Sequence, residues 1–473
     1  MSLALASLLA LVAIIVISCI VPKINPGLLA VIAAIVIGTI LDEMSVKAVL
    51  SGFPADLFLL LVSVCLVFGI AQANGTLPAL VLKVVPFIRG RAVLVPLLLF
   101  AISLVLSAMG PGNIAAVALL ATIAMTMAAR YEISPLLIAI MIVTGANAGA
   151  FSPFAPTGVI AAGLMDDIGL DSGRLSWVVF GAAAVLQSLT ALMAYALYLA
   201  RRRRRATLAT ELHNAPAGNR KPQGRRNIPA APGVVLAGSG ILMAGVSTGS
   251  PTLLPARVTG PMTAPDQPAG APPRLTQHQW ATIALIGLMI GGVILFDAPL
   301  VLMACIVAAL MAVADLGDIE AALHDLPWGT IIMVTGIAVL IGLMEKTGGL
   351  DLATTLIASV TRPEFINAAL AFITGIVSAY SSSSGVVMPA FIPLVPSLAE
   401  KMGIVDSVVR MVISVCVGSH MVDVSPLSTL GALALAAIPI KAQRDRAFKG
   451  LLIWGMSMAV VGAIIAFVFL DLI

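Results

Sequence analysis

Long apolar runs separated by short polar turns dominate the pattern of this chain. A helix that crosses a bilayer needs about 20 consecutive apolar residues, and residues 1–200 supply five such runs, at about 3–20, 26–41, 54–73, 134–152 and 175–200. Residues 278–473 supply five more, at about 278–296, 298–315, 328–346, 404–424 and 447–470. The pattern predicts an all-α polytopic membrane protein.

Composition supports this prediction. Hydrophobic residues make up 60% of the 473 residues, charged residues make up 10%, and the mean hydropathy is +1.10. A soluble globular protein has about 25% charged residues, so that class is excluded. The four cysteines lie in apolar runs without metal-ligand spacing, which predicts neither a transition-metal site nor a cofactor. No nucleic-acid partner is expected, because the basic residues lie in loops, where they orient a membrane protein.

Polar, helix-breaking patches interrupt the apolar sequence at matching places in the two halves. The patches Ser107–Asn113 and Ser381–Gly385 predict the tips of two re-entrant helical hairpins, at 91–129 and 364–401. The stretches 145–153 and 418–426 share a Gly-x-(Asn/His)-x-x-x-x-Ser-Pro pattern, 273 residues apart. They predict broken helices at 134–167 and 404–438, because proline and glycine interrupt helices.

The two halves are predicted to be inverted repeats. Each has five transmembrane helices, one re-entrant hairpin and one unwound helix, and an odd number of crossings inverts the second half relative to the first. Basic residues, above all the run Arg201–Arg205, fall on the cytoplasmic side if both termini lie outside. We therefore predict transmembrane repeats at 1–200 and 278–473, joined by a cytoplasmic linker at 201–277.

Broken helices inside a membrane indicate a cavity. Backbone N–H and C=O groups that lack a helical partner are tolerated there only when they are buried in protein or face water. Helix N-termini at the interruptions offer N–H groups to an anion, and nearby side chains predict a substrate site that comprises Gly112, Asn113, Pro156, Thr157, Ser383, Ser384, Ser428 and Thr429. Hard oxygen ligands at the same breaks predict cation sites that comprise Ser107, Gly110, Asn113, Gly145, Asn147, Ser378, Ser382, Ser384, Ser419, His420 and Asp423. No Lys or Arg lies within the patches 107–113, 145–153, 381–385 and 418–426, so helix dipoles and co-bound cations would neutralise an anionic substrate.

His420 and Asp423 differ from their counterparts in the first half, Asn147 and Ala150. They are three residues apart and therefore share one helical face, and an ionisable residue inside a membrane indicates function. Asp423 is predicted to bind a cation or carry a proton, and a merely structural polar pair is the alternative.

The patches Ser107–Asn113 and Gly145–Gly158 resemble those of the bacterial malonate-carrier-like family of dicarboxylate carriers, which is distantly similar to the divalent-anion:sodium symporters. Where those symporters carry Ser-Asn-Thr at the hairpin tips, this chain reads Gly112-Asn113-Ile114 and Ser383-Ser384-Gly385. The resemblance implies a homodimer in the bacterial inner membrane, with a scaffold and a mobile transport part. It also implies symport of a small dicarboxylate, such as malonate or a C4-dicarboxylate, with a cation that is usually Na⁺.

Two other functions remain open at this point. A cation:proton antiporter or an oxyanion carrier of the same superfamily would use Asp423 and His420. An intramembrane serine protease would pair the run Ser381–Ser384 with His420, but an inverted repeat has no purpose in such an enzyme. The sequence therefore favours a carrier over an enzyme.

Overall fold

The computed structural model describes residues 2–21, 23–84, 92–214 and 275–469. Within these ranges every regular element is a helix, and eight helical segments have the length and apolar composition of membrane spans. The chain is therefore an all-α polytopic membrane protein, as its apolar pattern predicts.

The helices of the first half begin and end close to the apolar runs. They are α1 (Leu3–Ile20), α2 (Pro26–Val36), α3 (Val46–Leu50), α4 (Ala55–Ala73), α5 (Thr76–Val84), α6 (Val95–Ala108), α7 (Gly112–Arg130), α8 (Pro135–Ala150), α9 (Pro156–Asp167) and α10 (Ser172–Asn214). A π-helical turn, Ile37–Leu41, extends α2.

The helices of the second half follow the same order. They are α11 (Gln277–Phe296), α12 (Leu300–Val313), α13 (Ile319–His324), α14 (Trp328–Thr347), α15 (Gly349–Val360), α16 (Ile366–Ser378), α17 (Met388–Phe391), α18 (Val395–Met402), α19 (Val408–Met421), α20 (Thr429–Ala436) and α21 (Lys441–Phe469). A π-helical turn, Ser383–Val387, precedes α17, and a 3₁₀ turn, Val422–Val424, follows α19.

Residues with left-handed backbone conformation occur at matching turns of the two halves. Gly75 and Gly348 both have φ +76° and directly precede α5 and α15. Glu132 and Gly403, with φ of 53° and 68°, lie in the turns before α8 and α19. Left-handed residues at matching turns indicate that the two halves share one plan of helices and breaks, while their opposite orientation in the membrane stays a prediction.

The tip between α6 and α7 requires glycine. Gly110 and Gly112 have φ of 131° and 79°, which residues with a Cβ rarely adopt. A Cβ on Gly110 would lie 1.8 Å from the Phe68 ring of α4. The tip is therefore packed tightly against α4, and its turn has no room for a larger residue.

Each first hairpin arm packs against the first part of the broken helix of its own half, α6 against α8 and α16 against α19. Glycine allows both contacts: a Cβ on Gly145 would lie 2.4 Å from the Phe100 carbonyl oxygen, and a Cβ on Gly418 would lie 2.5 Å from Ala371 Cα. The second parts cross over, since α9 contacts the second hairpin at α17 and α20 contacts α7 of the first. The breaks of both halves are thereby brought together.

The segment predicted as a linker begins in helical conformation. Helix α10 continues to Asn214, past residue 200, because arginine is a good helix former and the run Arg201–Arg205 does not end the helix. The boundary between membrane repeat and linker at residue 200 stays a prediction. Residues 215–274 of the predicted linker lie outside the described residues. The described residues up to Leu199 and from residue 275 onward form one compact unit.

Candidate functional site

The predicted substrate residues all lie where helices begin. Gly112 and Asn113 open α7, Pro156 and Thr157 open α9, Ser383 and Ser384 open the turn before α17, and Ser428 and Thr429 are the N-cap and first residue of α20. A helix begins with N–H groups that have no partner within the helix, and these groups carry the positive end of its dipole. Four such ends give the interruptions the donors that an anion needs.

The two halves differ in how these helix ends are capped. Ser382 Oγ accepts a hydrogen bond from Gly385 N at 3.0 Å, and Ser428 Oγ accepts one from Gly431 N at 3.2 Å. The N-caps of α7 and α9 are Pro111 and Ala155, and neither provides a side-chain cap. Within α7, however, Asn113 Oδ1 accepts a hydrogen bond from Ile114 N at 2.9 Å, and Pro156 at the first position of α9 has no N–H group. The difference in capping therefore gives neither half an excess of free N–H groups for a ligand.

Two of these helix ends meet within the first half. A Cβ on Gly112 would lie 3.0 Å from Pro156 Cδ, so the start of α7 lies directly against the start of α9. Thr157 is buried next to Pro156, whereas Thr429 is exposed at the matching end of α20.

Asp423 lies at the centre of a buried polar network. Its Oδ1 accepts a hydrogen bond from Ser383 Oγ at 2.6 Å, and its Oδ2 accepts one from Asn147 Nδ2 at 3.3 Å. Ser383 Oγ lies 2.6 Å from Ser378 Oγ and 3.3 Å from the Ser419 carbonyl oxygen. Neither ion pair found among the described residues involves Asp423. A buried carboxylate without a basic partner is the group that a cation or a proton would neutralise.

Asn147 joins the two halves at this network. Its Nδ2 donates to the His420 carbonyl oxygen at 2.9 Å as well as to Asp423, and its Oδ1 accepts from Asn113 Nδ2 at 2.8 Å. Asn147 is completely buried. The sequence-predicted residues Asn113, Asn147, Asp423 and Ser383 thus form one connected set.

The predicted pairing of His420 with Asp423 does not form among the described hydrogen bonds. His420 Nδ1 lies 2.9 Å from the Cys416 carbonyl oxygen and 3.1 Å from Ser419 Oγ, and its ring packs edge-on against Phe151. The Ser–His pair of a protease is likewise not made there, because Ser383 hydrogen bonds to Asp423. His420 is hydrogen-bonded to the helical turn before it, at Cys416, whereas Asp423 is hydrogen-bonded to Ser383 and Asn147 on other elements.

Ser107 has an unsatisfied hydroxyl. It is fully buried, and its Oγ has no hydrogen-bond partner in the structure. Its counterpart 271 residues later, Ser378, pairs with Ser383. Oxygen atoms of this kind are ligands for a hard cation, so the hydroxyl fits the predicted role of Ser107. Of the other predicted cation residues, Gly110 and Gly145 lie at close packing contacts with Phe68 and Phe100.

Sequence reasoning missed two residues at the site. Gln187 of α10 is buried, its Nε2 donates to the His420 carbonyl oxygen at 3.3 Å, and its Oε1 has no partner. Ser18 of α1 lies within hydrogen-bond distance of Ser381, 3.0 Å between the two Oγ atoms. The signal for Gln187 was present, since it is the one amide side chain in the apolar run 175–200.

A cavity of about 930 Å³ lies beside α9 rather than at the hairpin tips. The start of α4, the end of α9, the start of α10 and the turn between α11 and α12 line it, with four carboxylates among the lining residues: Asp56, Asp166, Asp167 and Asp297. An acidic cavity disfavours an anion, so it does not replace the helix N-termini as the substrate site.

Broken helices whose N-termini converge on buried polar side chains characterise membrane carriers of small anions. The family comparison agrees with this class: residues 1–150 match the family described as dicarboxylate carrier protein MatC, N-terminus. The match supports a malonate-carrier-like dicarboxylate transporter family for this chain, and that family indicates a dicarboxylate carrier. The matched range includes Asn113 and Asn147 and ends before α9 and the second half. No curated protein matches the chain.

Proposed function

We propose that this protein is a secondary active transporter that carries a small dicarboxylate, such as malonate or a C4-dicarboxylate, together with Na⁺. The observation that carries the proposal is the position of all eight predicted substrate residues at the N-cap or the first two positions of a helix. Two carboxylates need at least two groups of donors, and four helix ends from two halves offer them without any Lys or Arg in the patches 107–113, 145–153, 381–385 and 418–426.

Cation coupling follows from the same electrostatics. Four helix ends of roughly half a charge each would balance a dianion only if all four lay against it, because the effect of each end decays within one turn. A cation beside the substrate would supply the charge that the more distant ends do not. The unpaired Ser107 hydroxyl and the Asp423 carboxylate support cation sites next to the substrate. A cation bound there would raise substrate affinity, and substrate would raise cation affinity by the same factor.

The proposed setting is the bacterial inner membrane, with both termini outside and the protein acting as a homodimer. Site-directed labelling of introduced cysteines at the loops would test the orientation, and crosslinking in the membrane would test the dimer. Labelling of Cys305, which is exposed in the described chain, must be removed first by Cys305→Ser.

Reconstituted proteoliposomes test the transport activity. A counterflow screen of malonate, succinate, malate and citrate identifies the substrate, and an inward Na⁺ gradient should accelerate its uptake. Asn113→Ala should raise the half-saturating substrate concentration, because it removes an amide from the first hairpin tip. Failure of all four carboxylates to exchange would refute the proposal.

The Asp423 network specifically favours one alternative, a cation:proton antiporter, because its carboxylate is buried without a basic partner. In that case Na⁺ would drive proton release from the vesicles with no effect of any carboxylate. The same preparation, measured with a pH-sensitive dye, distinguishes the two activities.

A further inference from the structure

Four side chains form a continuous hydrogen-bonded link between the two hairpin tips. Asn113, at the start of α7, donates to Asn147 Oδ1 at 2.8 Å, and Asn147 Nδ2 donates to Asp423 Oδ2 at 3.3 Å. Asp423 Oδ1 then accepts from Ser383 Oγ, at the start of the second hairpin arm, at 2.6 Å. The link runs through both broken helices, and 276 residues separate Asn147 from Asp423.

The chemistry of the neighbours determines the orientation of the Asn147 amide. Two acceptors, the His420 carbonyl oxygen and Asp423 Oδ2, face one end of the amide. Only the NH₂ group can satisfy both, because a carbonyl oxygen there would face two other acceptors. The Oδ1 atom must therefore point towards Asn113, whose Nδ2 supplies the matching donor.

Every polar atom of Asn147 is thus used in bridging the two halves. The residue is completely buried, and Asp423 and Ser383 are buried as well. In a buried network, a displaced donor leaves an acceptor without a partner, which is costly because water cannot replace it. A shift of the Asn113 amide towards a ligand therefore disturbs Asn147 and, through it, Asp423 and Ser383.

We propose that Asn147 is a positioning residue that couples the two hairpin tips, so that a change at Asn113 alters substrate binding at Ser383 and the reverse. This role rests on the proposed function and goes beyond it. It assigns Asn147 to communication between the two halves and not to direct binding of substrate or cation. The same role explains why Asn147 of the first half lies against Asp423 of the second half: the amide N–H and the carboxylate oxygen are hydrogen-bond partners for each other.

A triple-mutant cycle tests the coupling. Asn113→Ala, Ser383→Ala and the double variant are measured in the native background and again with Asn147→Leu, which keeps the branched shape and the number of side-chain heavy atoms but removes the amide. Three quantities are measured for each: the apparent melting temperature in detergent without ligand, and the half-saturating concentration and maximal rate of [¹⁴C]malonate uptake in proteoliposomes.

With Asn147 present, the two alanine substitutions should be non-additive by about threefold or more in the half-saturating concentration, with a smaller change in maximal rate. Their effects on melting temperature should be non-additive as well. With Asn147→Leu, the non-additivity in melting temperature should disappear. The non-additivity in half-saturating concentration should also disappear, except for any coupling that arises because both residues contact the same bound substrate. The melting temperatures are measured without ligand and therefore exclude that contribution.

Gln187→Leu is the matched control. Gln187 is also buried and donates to the same His420 carbonyl oxygen, but it contacts neither Asn113 nor Asp423 through its hydrogen bonds. The coupling should survive in this background. Additive melting data in the native background, or equal loss of coupling with Gln187→Leu, would overturn the inference. Absence of uptake of all four carboxylates of the counterflow screen would instead count against the proposed function, and the melting data would still decide the link.

Discussion

Two glycines at matching positions of the broken helices give a stringent test of the packing that positions the substrate site. Gly158 of α9 and Gly431 of α20 lie in the first turn of each helix, and each packs onto the loop before it. A Cβ on Gly158 would lie 2.0 Å from the Ser152 carbonyl oxygen, and a Cβ on Gly431 would lie 2.0 Å from the Ser425 carbonyl oxygen. We expect Gly158→Ala and Gly431→Ala to destabilise the protein and to lower substrate uptake.

The magnitude follows from the contact distance. Non-bonded heavy atoms normally stay beyond about 3.3 Å, so the carbonyl or the helix must move by roughly 1.3 Å. Overpacking of this kind costs about 2–4 kcal/mol. Alanine regains about 1 kcal/mol through its higher helix propensity, which leaves a net loss of about 1–3 kcal/mol in the free energy of unfolding.

The assay is thermal unfolding of the detergent-solubilised protein, with uptake measured on the same preparations. Gly181→Ala is the control, because Gly181 lies within α10 and a Cβ there meets nothing within 4 Å. Only the propensity gain remains in that case, so its melting temperature should stay the same or rise. If Gly158→Ala and Gly431→Ala were as stable as Gly181→Ala, the tight loop-to-helix contact would be wrong.

Three further predictions concern the hairpin tips and the coupling ion. Ser383→Ala removes the hydroxyl that donates to the Asp423 carboxylate at 2.6 Å, so the half-saturating substrate concentration should rise by about 10-fold or more. The control is Ser188→Ala, which removes only a hydroxyl bonded within α10. It should change the half-saturating substrate concentration by no more than about twofold. Gly110→Ala should reduce the yield of folded protein, because its Cβ would overlap the Phe68 ring. Adding Phe68→Ala to this variant should partly restore the yield. A double variant with no higher yield would contradict the packing of Gly110 against Phe68. Replacement of Na⁺ by choline should lower the initial rate of uptake at subsaturating substrate; an unchanged rate would remove Na⁺ as the coupling ion.

The two halves differ in the polar groups that lie beside their helix ends. The first half has the Ser107 hydroxyl without a hydrogen-bond partner among the described residues, whereas the second half has the Asp423 carboxylate. We infer that the second half contributes the fixed negative charge of the site. A cation bound at Asp423 would then balance part of the charge of an anion at the helix ends of the two halves.

Much of the fold could be predicted because the bilayer imposes a simple rule on sequence. The apolar run at 3–20 coincides with α1, and the Gly110-Pro111-Gly112 patch separates α6 from α7, since proline and left-handed glycine interrupt a helix wherever it lies. The end of α10 at Asn214 could not be read from the apolar run 175–200, because an arginine run marks a change of polarity without ending helical hydrogen bonding. Membrane boundaries and helix boundaries have different physical causes.

The sequence by itself determined which residues could serve an anion and a cation, since small polar residues beside helix breaks are visible in one dimension. Only the tertiary structure decided their partners. Asp423 bonds to Ser383 and Asn147, which other helices bring to it, whereas the His420 ring bonds within its own helix to the Cys416 carbonyl oxygen. The contact between Asn147 and Asp423 depends on how two halves pack against each other. Hydrophobic periodicity determines the helices, but contacts between distant segments depend on side-chain shape and packing in three dimensions.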